Sequence, residues 1–379
     1  MASNTDNPFK FGGELAKGHY FVDREEEQEK LKRDLKRGGR VVVYSDRRYG
    51  KTTLIVNVLD ELKKEGCFTA YLDVSTTPDK SLFISKYKSL FIKEKSAKWF
   101  MDWLKTNIPK IKISVGDVSI DASGLSAVEL DQAFEKIIDL PQELATEEQK
   151  RVVVALDEFH EINDLGPKVK NLLRSKLQFQ DKVSYVFSGS EAHVLQDMFE
   201  REDEPFYKSA SMFELHKIPR EAYGKFIKSA FNSSGIQIDD KLIEFVLEST
   251  DSNTYYTQEL CHGLWDHCKV RKLETVKKDD LKKAVEQVVS DQSAVYVKTW
   301  ENLPPTYRKL LIGLVSEPDP KVWSKEFMTR MRLSDGAVDK ATKELTKRYL
   351  IEKGSDKKLI IPDPFFRSWL VQKLTEPGY

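Results

Sequence analysis

Val41-Val42-Val43-Tyr44-Ser45-Asp46-Arg47-Arg48-Tyr49-Gly50-Lys51-Thr52-Thr53-Leu54 decides the fold. It reads as a buried strand, a short loop, Gly-Lys-Thr and a helix. That order is the phosphate-binding loop of nucleoside triphosphatases, with Ser45 in place of the first glycine. Phosphate oxygens need donors, and a tight loop at a helix N-terminus supplies backbone N–H groups and partial positive charge. Residues Ser45 to Thr53 would wrap the phosphates of ATP or ADP. Gly50 permits close backbone approach, Lys51 reaches the β- and γ-phosphates, and the Thr52 hydroxyl ligates magnesium. The competing reading is a helix start with no ligand.

A second element lies about a hundred residues on, at Arg151-Val152-Val153-Val154-Ala155-Leu156-Asp157-Glu158. An apolar strand ending in Asp-Glu suits an ATPase that holds magnesium and activates water. Asp157 would hold the metal, mostly through water, and Glu158 would orient and deprotonate the attacking water. The plainer alternative is a strand end turning into solvent. His160 reads as a helix-start residue. A third apolar strand, Val183 to Ser188, ends in Ser188-Gly189-Ser190. In such a sheet this end points at the γ-phosphate, which Ser188 or Ser190 would sense.

The chain has 379 residues, with 61 basic and 61 acidic side chains. That length holds two or three domains, and the balanced charge points to neither nucleic acid nor membrane. Apolar runs are too short to span a bilayer. Met1 to Lys10 lacks the apolar core of a secretion signal. Cys67, Cys261 and Cys268 show no ligand spacing and read as buried or idle thiols of the cytoplasm.

Strands alternate with helices up to about Leu215, which predicts a parallel sheet covered on both faces. The predicted helices here are Phe21–Lys36, Thr52–Glu65, Ser81–Thr106 and Ala127–Leu140, the last stopped by Pro141. A hairpin is predicted around Gly116-Asp117. Four helices follow: Arg220–Phe231, Asp239–Ser249, Tyr255–Cys268 and Lys278–Ser290. From about Asn302, three helical stretches (Pro305–Val315, Lys321–Met331, Asp335–Leu350) precede a strand pair turning at Gly354-Ser355-Asp356. That pattern is a winged helix, closed by Pro364–Leu374. The expected division is an ATPase core at 1–215, a helical lid at 216–294 and a winged helix at 295–379.

Three stretches together resemble the archaeal-type ATPase family: Tyr20-Phe21-Val22-Asp23-Arg24-Glu25, Arg47 to Thr52, and Leu156-Asp157-Glu158-Phe159-His160-Glu161-Ile162. That family belongs to the STAND class of signal-transduction ATPases, a branch of the AAA+ P-loop proteins. Tyr255-Tyr256-Thr257-Gln258 resembles its lid and Asp363-Pro364-Phe365-Phe366-Arg367-Ser368-Trp369-Leu370 the end of its winged helix. The resemblance implies a P-loop core, a lid and a winged helix, with Phe21, Val22 and Arg24 bordering the adenine. It implies a switch closed by ADP and opened by ATP for assembly. The chain departs from the family pattern at Ser45 and at Asp46, whose carboxylate near phosphates is unfavourable by roughly 1 kcal/mol when partly screened. Arg47 or Arg48 would offset it by pairing. The lid motif Gly-x-Pro appears as Ser252-Asn253-Thr254, and the arginine near the core's end is missing, leaving Lys208 nearby.

The expected function is thus a nucleotide-dependent switch with magnesium-assisted ATP hydrolysis. The alternatives are a winged-helix DNA-binding regulator and a protein-assembly module with weak or no turnover. From Val295 on there are 16 basic and 11 acidic residues, a surplus of five. The helix at Asp335–Leu350 mixes both signs, whereas a DNA reader carries a cleaner basic stripe. A protein partner or self-association is favoured over DNA.

Overall fold

Val41, Val42 and Val43 are all buried, and they point alternately to two helical layers. The computed structural model describes residues 6–13, 22–92, 102–103, 106–107, 112–113, 120–121, 126–317, 319–354 and 358–375. Phe21 and the turn residues Gly116, Asp117, Ser355 and Asp356 lie outside that set. The chain forms two units, one of residues 16–217 and one of residues 1–15 with 218–379.

In the first unit, α1 (Glu25–Lys36), β1 (Arg40–Tyr44), α2 (Lys51–Lys64), β2 (Phe68–Asp73) and α3 (Lys80–Ile92) come first. The short pair β3 (Lys112–Ile113) and β4 (Ile120–Asp121) is antiparallel. Then follow α4 (Ala127–Glu148), β5 (Val152–Asp157), α5 (Val169–Leu177), β6 (Val183–Gly189), α6 (Ala192–Glu200) and β7 (Ser211–Glu214). The five long strands form one parallel sheet in the order β2-β5-β6-β1-β7. Val41, Val43, Val153, Ala155 and Val186 meet Leu31, Leu35, Leu54 and Val58 of α1 and α2. Val42, Val152, Val154, Leu156 and Phe187 meet the layer that includes Phe83, Phe134, Leu173 and Leu195. A period of two with both faces apolar is what a doubly covered sheet requires.

In this unit the first helix starts later than expected and α4 ends later. The first helix starts at Glu25, because Asp23 sits in the left-handed region at φ 46° and Arg24 occupies the cap. Glu25, Glu26 and Glu27 then face the positive helix end. Helix α4 does not stop before Pro141 but runs through it to Glu148. An interior proline costs about 3 kcal/mol. Leu140, Leu144 and Ala145 are buried in the core beside it, and their packing outweighs that cost.

The second unit holds α7 (Arg220–Ser233), α8 (Asp240–Ser249), α9 (Thr254–Arg271) and α10 (Lys278–Glu301), then α11 (Pro305–Ser316), α12 (Lys325–Met331) and α13 (Asp335–Lys347). The wing strands β8 (Glu352–Lys353) and β9 (Leu359–Ile360) and helix α14 (Pro364–Thr375) complete a helical lid and a winged helix. Helix α10 runs 11 residues beyond the expected end at Ser290, to Glu301. No breaker interrupts it, and its last turns carry Tyr296 and Trp300 into a ring cluster with Phe366 and Trp369.

The N-terminal segment at 6–13 packs on the lid helices. Phe9 is fully buried against Phe226 and Phe231. The Lys10 N–H donates to Gln258 (2.9 Å), Asn7 Nδ2 donates to the His262 carbonyl (3.1 Å), and His262 Nδ1 donates to the Phe9 carbonyl (2.7 Å). Phe9→Ala is therefore expected to cost this unit about 3 kcal/mol in denaturant unfolding. A loss within error of zero would show that the segment adds nothing to the lid.

Candidate functional site

Strand register builds the site. Tyr44 pairs with Gly189 across β1 and β6, and Asp73 with Asp157 across β2 and β5. The loop after β1, the Asp-Glu after β5 and the serines after β6 therefore gather at the C-terminal edge of the sheet, where open α/β sheets bind ligands.

Gly50 caps α2 at φ 91°, a left-handed conformation that glycine adopts without strain. Its Cβ position meets nothing within 4 Å, so the requirement is on the backbone angle. Lys51 is 7% exposed, and Nζ donates to the Ser45 carbonyl (2.9 Å), Ser45 Oγ (3.1 Å) and the Asp46 carbonyl (2.9 Å). Burial pulls its pKa down to about 8, against the raising effect of the Glu158, Asp157 and Asp46 charges. Ser45 is buried, and its hydroxyl donates to the Asp46 carbonyl (2.9 Å). Asp46, Arg47 and Arg48 are exposed, so solvent screens the Asp46 carboxylate. Tyr49 is half-buried, with Lys217 Nζ 6.0 Å from its ring centre. Thr53 is half-buried in the first turn of α2.

Asp157 is 5% exposed. Thr52 Oγ1 donates to its Oδ2 (2.8 Å), as does the Tyr71 hydroxyl (2.7 Å). Ser188 Oγ (2.6 Å) and the Glu158 N–H (3.0 Å) donate to Oδ1. Burial, then the Asp157 charge, raises the pKa of Tyr71 and keeps it a donor. Glu158 sits at φ 48°, an uncommon angle for a side-chain-bearing residue. Its Oε2 accepts from the Ser190 N–H (2.9 Å) and Oγ (3.0 Å), with His160 Nδ1 at 3.5 Å. A Cβ on Gly189 would stand 3.0 Å from His160 Nδ1, so glycine lets this strand end approach the histidine.

Lys51, Thr52, Asp157, Glu158, Ser45 and Ser188 thus come together. Arg24 is 3% exposed and tied elsewhere, with Nη1 2.7 Å from Glu27 and Nη2 donating to the His216 carbonyl (2.5 Å). Val22 is buried. Phe21, expected beside them, lies outside the described residues. Sequence reasoning gives His160 no part in the site and passes over Tyr71. The signal for Tyr71 is a ring with a polar tip, two residues from the end of the strand beside the acidic one. In the second unit, Asp251 and Ser252 take φ near 50°, and Asn253 Oδ1 caps α9 through the Tyr255 N–H (3.0 Å).

A family model described as "ATPase domain predominantly from Archaea" matches residues 21–260. The chain belongs to this family. A second model, described as "Probable winged helix domain", matches residues 294–372 of this archaeal-type ATPase. No curated protein matches the chain. Among solved structures, a Walker-type ATPase of Pyrococcus abyssi is similar, with 16% identity, TM-score 0.65 and coverage of 96% of this chain and 99% of that one. The Aeropyrum pernix ORC2 protein in its ADPNP–ADP complexes has 14% identity, TM-score 0.59 and coverage of 98% and 99%. The Aeropyrum pernix ORC1 protein in complex with DNA has 14% identity, TM-score 0.53 and coverage of 93% of each chain. At such identities the likeness establishes the fold alone, a parallel α/β P-loop core with a helical lid and a C-terminal winged helix.

Proposed function

We propose that this protein is a nucleotide-dependent conformational switch of the STAND type that binds ATP and ADP with magnesium and hydrolyses ATP. The observation that carries the reading is the convergence of Lys51, Thr52, Asp157 and Glu158 at one edge of the sheet. The division into a core at 1–215, a lid at 216–294 and a winged helix at 295–379 belongs to the same reading, except that residues 1–15 go with the lid; a cytoplasmic location belongs to it too. Among the described residues no helix is long and apolar enough to cross a membrane.

The residues suit magnesium. Thr52 Oγ1 and the Asp157 carboxylate are hard oxygen donors placed 2.8 Å apart. Such a donor pair suits an ion held by one carboxylate, a hydroxyl, water and the phosphates of a substrate. Bound there, magnesium would neutralise phosphate charge. The chain's own groups supply the rest. Lys51 donates to the phosphates from a buried position, and Ser188 holds Asp157. Glu158 orients a water and takes its proton. The ligands in the ORC2 complexes support the nucleotide assignment.

Purified protein is expected to bind ADP and ATP and to turn over ATP slowly when magnesium is present. Binding of neither nucleotide by calorimetry would end this reading. The second reading, DNA binding, has support from the winged helix and from the ORC1–DNA neighbour. Against it, α13 exposes Asp335 and Asp339 beside Lys340, Lys343 and Lys347, and Trp323 Nε1 donates to Asp339 (3.0 Å). A protein-contact surface suits that mixed face better. A salt-dependent shift of duplex DNA would reverse the preference.

A further inference from the structure

Asp157 is held from three elements at once. Ser188 reaches its Oδ1 from β6, Thr52 reaches its Oδ2 from α2, and Tyr71 reaches the same Oδ2 from β2 at 2.7 Å. Tyr71 pairs with Ala155 in the sheet, and its ring packs on the α1–α2 side of the core. From that fixed base the hydroxyl extends along the strand to the carboxylate two residues beyond Ala155.

The proposed function uses Thr52, Asp157 and Ser188 but gives Tyr71 no task. An aspartate that meets a metal through water works only if its oxygens stay put, and the carboxylate turns easily about its last bond. Ser188 fixes one oxygen from the strand on one side. The Thr52 hydroxyl also donates to the other oxygen, but its own oxygen would ligate the metal through a lone pair, so that anchor moves with the ion. Tyr71 supplies an anchor that the metal does not share.

We propose that Tyr71 is a positioning residue for the magnesium that accompanies the nucleotide: it fixes Asp157 Oδ2 from the neighbouring strand. The inference rests on the nucleotide site proposed above. Partners one step behind a metal ligand set its orientation, and their removal typically lowers metal affinity tenfold or more.

The test is calorimetric titration of the full chain with ADP, in chelator and across a magnesium series, for wild type and Tyr71→Phe. Phenylalanine keeps the ring and loses only the hydroxyl. In chelator the two proteins are expected to bind ADP within about twofold of each other. The magnesium concentration that gives half of the affinity gain is expected to rise about tenfold in the variant. An unchanged magnesium requirement overturns the proposal while leaving the nucleotide site intact. An equal loss with and without magnesium, or an unfolded variant, also overturns it, since the hydroxyl would then support the fold. Wild-type protein that binds no ADP in either condition overturns the proposed function and this inference together.

Discussion

Lys51→Ala is expected to weaken ADP and ATP binding at least about 100-fold, measured as Kd by calorimetry. The Nζ of Lys51 sits inside the loop with three acceptors within 3.1 Å. Those acceptors are loop carbonyls and a hydroxyl, so the group is aimed where phosphate oxygens would compete for it. A hydrogen bond to a charged group contributes about 1.5–3 kcal/mol, and two such bonds amount to about 3 kcal/mol or more. That converts to at least about 100-fold in Kd. The variant should keep its fold, because removing a buried ammonium relieves the desolvation that lowers its pKa. Wild-type affinity in Lys51→Ala would place the nucleotide elsewhere.

Glu158→Gln is expected to lower single-turnover hydrolysis about 100-fold or more, the usual contribution of a general base, while changing nucleotide Kd less than about threefold. Glutamine keeps the size of the side chain, and its carbonyl still accepts from the Ser190 N–H. What it loses is the basic carboxylate and its charge beside His160. The backbone angle of Glu158 is unaffected by the change. The variant should therefore retain ATP through gel filtration when wild type returns ADP. Equal background rates in both proteins would favour a binding module without turnover.

The core is legible in the sequence because its signals are local or strictly periodic. Strands such as Val152–Asp157 are apolar on both faces, and a strand, a short loop and a Gly-Lys-Thr opening a helix serve few purposes besides holding phosphate. What escapes depends on partners distant in sequence. Pro141 reads as a helix stop because propensity is a local quantity, while the burial of Leu144 and Ala145 that carries the helix onward is tertiary. The local pattern ends α10 too early because Tyr296 and Trp300 find their ring partners some 70 residues later, in α14. Tyr71 and Asp157 are 86 positions apart, and only the β2–β5 register joins them.

The uninterrupted α10 has a mechanical consequence. Its 24 residues at 1.5 Å each span about 36 Å, and no proline or glycine softens them. The rings of Tyr296 and Trp300 clamp its far end to α14, while Leu281 and Ala284 are buried near its start. Such a rod transmits torque. Tilting its near end by about 10° would carry the far end, and the wing with it, through about 6 Å, so a small rearrangement at the start of α10 would become a larger displacement at the ring cluster.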